Sequence, residues 1–301
     1  MSRPTLYLRP LNGLCNRMRA VASARTLAAA AGADLVVLWE VGPGLAIRYE
    51  DLFHHDGSFR VRNIEPLRSK LDALLYLLYS ETPRVRGVPT AWLTRAIFGD
   101  NILRQLRPED HSPATLEAFV RGARRTLISS WWAFHGDPEP DFSFFKPHPA
   151  QQAAVDEIAQ AFGPGTIGVH IRRTDNANAI RYSPTSAFVA AMRRRLRADP
   201  DARFFLATDC AETEAAIRAV FGARVITRPR VASRDTREGM LDAVVDLFAL
   251  SRTSRILGSY YSTFSETAAS LGGIKWVTVT DDASLIGRVN SDVMLALADP
   301  A

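Results

Sequence analysis

Between Thr166 and Val279, short β-branched runs alternate regularly with helical stretches. The run Thr166–Ile171 opens directly after Gly163-Pro164-Gly165 and reads as a buried strand. A helix near 184–198 follows, which Pro184 can open because a first-turn N–H has no helical partner to lose. The pattern continues as a strand over 203–207, a helix over 211–221 stopped by Gly222, and a short strand over 225–227. A helix over 237–252, a strand over 255–257, a helix over 262–271 closed by Gly272-Gly273 and a strand over 276–279 complete it. Strands separated by helices pair in parallel and are covered on both faces, so the expected fold class is α/β.

The first half starts the same way, with a strand over 5–9, a helix over 16–31 stopped by Gly32, and a strand over 34–39. Beyond Gly42 the regularity fades. Tyr76, Trp92 and Phe98 lie in short apolar pieces, Arg125–Ser130 is strand-like, and Pro138, Pro140, Pro147 and Pro149 mark a linker. The reading is two Rossmann-like domains, over 1–147 and 148–301, facing each other across a cleft that holds a ligand.

Composition bounds the function. At 47% hydrophobic and 23% charged residues, the 301-residue chain is folded rather than disordered. Its net charge of +5 raises nucleic-acid binding as an alternative. The basic residues are nearly all Arg, however, with Lys only at positions 70, 146 and 275, which points to overall compositional bias. The run Arg193–Arg197 reads as a solvated helix face, and no aromatic stacking platform accompanies it. Nucleic acid is therefore not an expected partner, and an anionic small ligand accounts for the surplus equally well. Cys15 and Cys210 have no metal-type spacing, and His54-His55-Asp56 is too compact to read as a metal-ligand set. The most apolar window, Ala73–Tyr79, falls short of the ~20 residues a bilayer span needs, and no signal pattern opens the chain. The expectation is a cytoplasmic protein without a transmembrane segment.

Four segments carry the chemistry. Asn12-Gly13-Leu14-Cys15-Asn16-Arg17 joins the first strand to the first helix, where Gly13 lets a ligand approach the backbone and Asn16 either caps the helix or faces the ligand. In Val169-His170-Ile171-Arg172-Arg173-Thr174-Asp175, His170 and Arg172 share one strand face and Arg173 stands at the strand end, free to turn into the cleft. Guanidinium forks at that edge suit phosphate oxygens, the alternative being a surface Arg pair salt-bridged to its neighbours. Leu206-Ala207-Thr208-Asp209 is another polar strand end, with Asp209 reading first as a helix cap and second as a ligand contact. Asp246 is embedded in the apolar stretch Val244–Leu250 and needs a partner. Ser259–Ser265 opens a helix with clustered hydroxyls, which is either a phosphate site or a simple cap.

Taken together, Gly13–Arg17, His170–Asp175, Asp246–Ser251 and Ser259–Phe264 resemble the superfamily of GDP-fucose-dependent fucosyltransferases, which includes α-1,6-fucosyltransferases, nodulation fucosyltransferases and protein O-fucosyltransferases. The resemblance implies a GT-B fold, an acceptor-side domain over 1–147 and a nucleotide-sugar domain over 148–301. It implies an inverting glycosyltransferase moving a sugar, fucose first, from a GDP-sugar to a glycan or other hydroxyl acceptor. It also implies no cofactor and no required metal. The β-phosphate contact falls on Arg172 or Arg173, with Arg173 taken as catalytic and Arg172 as donor-binding. His170 and Asp246 match guanine-recognising positions, Ser262 and Thr263 match phosphate-binding hydroxyls, and Asn16 matches an asparagine near the reaction centre. Gly13 and Asp209 complete the donor-binding set.

The chain departs from the family at the proposed base, a glutamate in the α-1,6 enzymes, where Ile180 stands here. Asp175, Glu40 and Asp51 are the remaining carboxylate candidates. Ile180 also keeps open a second class of function, a non-catalytic nucleotide-sugar or glycan-binding protein.

Overall fold

The computed structural model describes residues 3–65, 70, 73, 84–85, 88–89, 91–136 and 140–281. The chain divides into two compact units, residues 1–148 with 234–240, and residues 149–233 with 241–301. The short return of 234–240 to the first unit leaves no mark in the sequence pattern.

In the first unit, β1 (Thr5–Pro10), β2 (Asp34–Glu40), β4 (Arg60–Ile64), β7 (Ile102–Leu103) and β8 (Arg125–Ser130) form a parallel sheet in the order β4-β2-β1-β8-β7. Two small antiparallel ribbons accompany it, β3 (Phe53–His54) with β9 (Lys146–Pro147) and β5 (Arg84–Val85) with β6 (Val88–Pro89). The first helix, Leu14–Ala31, starts two residues earlier than its apolar pattern suggests and ends on Gly32 in the left-handed conformation. Pro147 and Pro149 are not linker residues: Pro147 pairs with Phe53, and Pro149 opens the helix Pro149–Ala159. The missing N–H of a proline is harmless at a ribbon edge and in a first helical turn. Pro138, Tyr76 and nearly all of Ala73–Tyr79 lie outside the described residues.

In the second unit, β10 (Ile167–Ile171), β11 (Phe204–Thr208), β12 (Val225–Ile226), β13 (Arg255–Ser259) and β14 (Lys275–Val279) pair in parallel as β12-β11-β10-β13-β14. The chain leaves β10 towards one edge and later returns to its other side, so strand order reverses between β10 and β13. β10 is buried along its whole length. Ile167, Val169 and Ile171 pack into a core with Phe188, Met192, Leu206 and Ile217. The other face of the sheet carries glycines where helices press close. A Cβ on Gly168 would stand 2.9 Å from Leu250 Cδ2, and one on Gly258 would stand 2.6 Å from Ser265 Cβ. Gly258 is also the register partner of His170. Its missing side chain therefore admits the helix Thr263–Gly272 to the strand face on which His170 lies.

Several elements escaped the sequence pattern, the helix Pro149–Ala159 and two capped helices among them. The helix Ala177–Tyr182 has fewer than two turns, too few for a period to show, with Asn176 Oδ1 accepting from Ala179 N at 3.0 Å. The helix Pro113–Arg121 is capped in the same way by Ser112. Among the described residues, no helix is long and apolar enough to cross a membrane.

Candidate functional site

In an open parallel sheet the ligand crevice lies beyond the carboxyl ends of the strands, where strand order reverses. In the second unit that point is the gap between the ends of β10 and β13, and two of the motifs meet there. His170 Nδ1 is 2.9 Å from Ser265 Oγ, while the imidazole stacks on Phe264 with centroids 4.7 Å apart. Ser259 Oγ accepts from Arg172 N at 3.0 Å and donates to His170 O at 3.3 Å. Burial above all, with Arg172 and Arg230 adding to it and Asp209 opposing, pushes the His170 pKa down to about 3. The ring is therefore neutral at physiological pH and presents one donor and one acceptor.

The arginines divide their work differently from the expectation. Arg172 Nε donates to Asp175 Oδ1 at 2.7 Å, and the pair is partly open to solvent. Arg173 is not free to turn. Its Nη1 donates to Arg172 O at 2.7 Å, its Nη2 donates to Ser183 O at 2.7 Å, and Thr185 Oγ1 lies 3.2 Å from Nη2. Backbone carbonyls next to the strand end are the nearest strong acceptors, and they capture the fork. Burial lowers the Arg173 pKa, with the Asp209 carboxylate opposing.

Asp209 is not a helix cap either. The helix Ala211–Phe221 is preceded by Cys210, which makes no side-chain cap bond. Asp209 instead receives Arg173 N at 2.7 Å, Thr174 N at 3.2 Å and Thr174 Oγ1 at 2.7 Å. It clamps the turn that carries the double arginine. Ser262 precedes the helix Thr263–Gly272 without a side-chain cap bond, so its hydroxyl does not satisfy the first-turn N–H groups.

Asp246 has the partners its burial demands, and they are protein groups. Arg228 Nε donates to Oδ1 at 2.9 Å and Arg230 Nη1 donates to Oδ2 at 3.2 Å. Burial pushes the Asp246 carboxyl up, against the pull of Arg230 and Arg228. Both arginines line a pocket of about 450 Å³ beyond β11, together with Thr208, Cys210, Glu214 and Arg218. Thr208 Oγ1 is buried there without a hydrogen-bond partner. Neither Arg228 nor Arg230 stood out in the sequence. The signal was the pair flanking Pro229 just after a strand end, the usual place for ligand contacts in this kind of sheet.

In the first unit, Gly13 rather than Asn16 occupies the helix cap, with extended φ −74° and ψ 175°. Asn16 lies inside the first turn, where its Oδ1 accepts from Arg19 Nη2 at 2.9 Å. Arg17 is buried and ties down the loop, donating through Nε to Asn12 O at 2.8 Å and through Nη1 to Glu40 O at 2.5 Å. Desolvation takes its pKa to about 10, with Glu40 opposing and Arg9 and Arg234 adding to the fall. Asn12 holds the left-handed φ of 65°. A Cβ on Gly13 would stand 2.9 Å from Arg234 Nη2, so glycine leaves room for that guanidinium.

The carboxylate candidates for a base are all paired: Asp175 with Arg172, Glu40 with Arg9 at 2.6 Å, and Asp51 with Arg237 at 3.3 Å. Ile180 is 44% exposed. Asp56 accepts from Ser58 and His55 from Gly57 N, and among the described residues no group of three or more His, Cys, Asp and Glu is placed to hold a metal.

No protein-family model and no curated protein matches the chain in sequence. Solved structures do match it in three dimensions. NodZ α-1,6-fucosyltransferase soaked with GDP-fucose aligns with a TM-score of 0.57 at 18% identity, over 90% of this chain and 93% of its own. A mutant of Arabidopsis thaliana FUT1 in complex with GDP aligns with a TM-score of 0.57 at 16% identity, over 91% of this chain and 70% of its own. POFUT1 in complex with GDP gives a TM-score of 0.53 at 13% identity, over 93% and 99%. The chain has the fold of these fucosyltransferases. The fucosyltransferase-like architecture is the GT-B type that the four motifs implied, with a Rossmann-like sheet in each unit.

Proposed function

We propose that the chain is a GDP-sugar-dependent glycosyltransferase, with fucose the first sugar to test. The observation that carries this reading is the bonding of His170 to Ser265, and of Arg172 N to Ser259, at the reversal point between β10 and β13. It brings the arginine motif against the hydroxyl-rich helix start within a fucosyltransferase-like fold.

The geometry supports the following division of roles. The pyrophosphate would lie on the first turn of Thr263–Gly272, held by its N–H groups and the Ser262 and Thr263 hydroxyls. Arg172, partly open beside Asp175, is the guanidinium that can swing onto the β-phosphate as the glycosidic bond breaks. Arg173 and Asp209 act one step back by fixing the turn. Base recognition is assigned to the pocket beyond β11. There Arg228 and Arg230, held by Asp246 together with Asp242 and Glu214, would have to turn N–H groups from these acceptors to the O6 and N7 pair of guanine. Adenine presents a donor where guanine has O6, so the same fork disfavours it. Inversion and independence of metal ions belong to this proposal, with charge neutralisation supplied by arginine and the helix terminus.

Titration with GDP, UDP and ADP, followed by donor turnover with GDP-fucose, tests the reading. Equal affinity for the three nucleotides, or no donor turnover with any acceptor, would overturn it. A second reading rests on Ile180. An exposed aliphatic side chain where the α-1,6 enzymes carry a glutamate fits a protein that binds a nucleotide sugar or glycan without transferring it. In that case GDP binds selectively and the donor stays intact.

A further inference from the structure

Tyr261 is 66% exposed and holds φ at +54°, the left-handed region that a bulky residue rarely adopts. Strain at an exposed aromatic persists only where its surroundings fix the backbone. Here they do. Asn176 Nδ2 donates to Tyr261 O at 3.0 Å, and Tyr260 N donates to Ser183 Oγ at 2.7 Å. Ser183 is fully buried and donates in turn to Val279 O at the end of β14. The same residue's carbonyl receives Arg173, so the arginine turn and the tyrosine turn share one anchor.

The fixed turn displays a group of rings. Tyr260 and Tyr261 lie 6.1 Å apart at 31°, Tyr182 meets Tyr260 edge-on at 5.3 Å, and the Arg181 guanidinium sits 5.0 Å from the Tyr182 ring. Glycine at 261 would remove the backbone strain but also the ring that the turn presents. The platform directly precedes Ser262 and Thr263, the hydroxyls at the helix start.

We propose that Tyr261, flanked by Tyr260 and Tyr182, is a stacking platform for a pyranose ring of a neutral glycan acceptor. The apolar C–H face of a pyranose meets the negative face of an aromatic ring, while phenol hydroxyls and Arg181 offer hydrogen bonds at its rim. A protein partner fits less well. One open ring and two half-buried ones supply far less than the roughly 800 Å² per partner of a standard interface. The proposal deepens the transferase reading, on which it rests for the word acceptor, but glycan binding itself can be measured without turnover.

The experiment presents the full chain to an array of neutral oligosaccharides of glucose, galactose, mannose and N-acetylglucosamine, with GDP affinity measured in parallel. The expected result is retention of a defined subset by the wild type and by Tyr261→Phe. Tyr261→Ala and Tyr261→Gly should bind at least tenfold more weakly with GDP affinity unchanged. The glycine variant should melt no lower than wild type, which separates lost stacking from lost folding. Failure to retain any glycan, or equal retention by the Ala and Gly variants, overturns the platform even if GDP binds. So does concentration-dependent self-association that Tyr261→Gly abolishes, since it would assign the ring to a second copy of the chain. Glycan retention through Tyr261 without GDP selectivity would leave the platform standing and sink the transferase reading.

Discussion

His170 Nδ1 and Ser265 Oγ stand 2.9 Å apart, tying the end of β10 to the first turn of the helix that follows β13. Strand and helix can approach this closely because Gly258, opposite His170 in the sheet, has no Cβ to hold them apart. This bond, with those of Ser259 to Arg172 N and His170 O, closes the crevice wall at the reversal point of the sheet.

Because His170 is buried and its pKa falls from 6.5 to about 3, the unfolded chain takes up a proton that the folded chain refuses. The neutral-ring contribution to stability is complete above pH 6.5 and is lost as pH falls towards 3, on the order of 1.4 kcal/mol per pH unit. Urea denaturation from pH 7 to pH 4 should show this slope in the wild type and a shallower one in His170→Gln. Parallel slopes would mean that the ring is solvated.

Arg172→Ala should lower donor turnover by about 10²–10³-fold, with a smaller effect on GDP affinity, since the guanidinium acts on charge that develops during bond breaking. Lysine should rescue poorly because a point charge lacks the planar fork. Wild-type turnover in Arg172→Ala would transfer the phosphate role elsewhere.

Arg173→Lys tests a different role. It loses the fork that bridges Arg172 O and Ser183 O. The variant should show a lower Tm and weaker GDP binding together, and Asp209→Asn should resemble it because it weakens the same turn. Turnover falling at constant Tm and GDP affinity would restore Arg173 as the phosphate contact.

Asp246→Ala removes the carboxylate that Arg228 and Arg230 share, but Asp242 and Glu214 stay with them, so the loss should fall below the ~3–5 kcal/mol of a buried charge left with no partner. The milder test is Arg230→Met, which should reduce the preference for GDP over ADP by about tenfold while leaving Asp246 paired with Arg228. Calorimetric titration with the two nucleotides reads this directly, and an unchanged preference would remove the pocket beyond β11 from base recognition.

Donor turnover in excess EDTA should remain close to that without chelator, since arginine and a helix terminus take the place of a divalent cation in the proposal. Activity that vanishes and returns with magnesium or manganese would contradict it.

Much of this protein is determined locally. The alternation from Thr166 to Val279 encodes the second sheet because buried parallel strands and their covering helices have different periods and are separated by turn residues. The motifs His170–Asp175 and Ser259–Ser265 were legible for the same reason, as polar residues placed where a strand ends or a helix begins. Which side chains face a ligand and which hold the scaffold was decided only by tertiary structure. Asp246 announces that it needs a partner, but Arg228 and Arg230 reach it from a loop 18 and 16 residues away in the chain. Arg172 and Arg173 are identical in sequence terms, but the carbonyl of Ser183, ten residues on, and that of Arg172 capture Arg173, while Arg172 is left with Asp175. The platform at Tyr261 depends on a positive φ fixed by Asn176, 85 positions earlier. Local propensity selects strands and helices, whereas hydrogen-bond and ion-pair partners depend on what the folded chain brings within about 3 Å, which no short window of sequence contains.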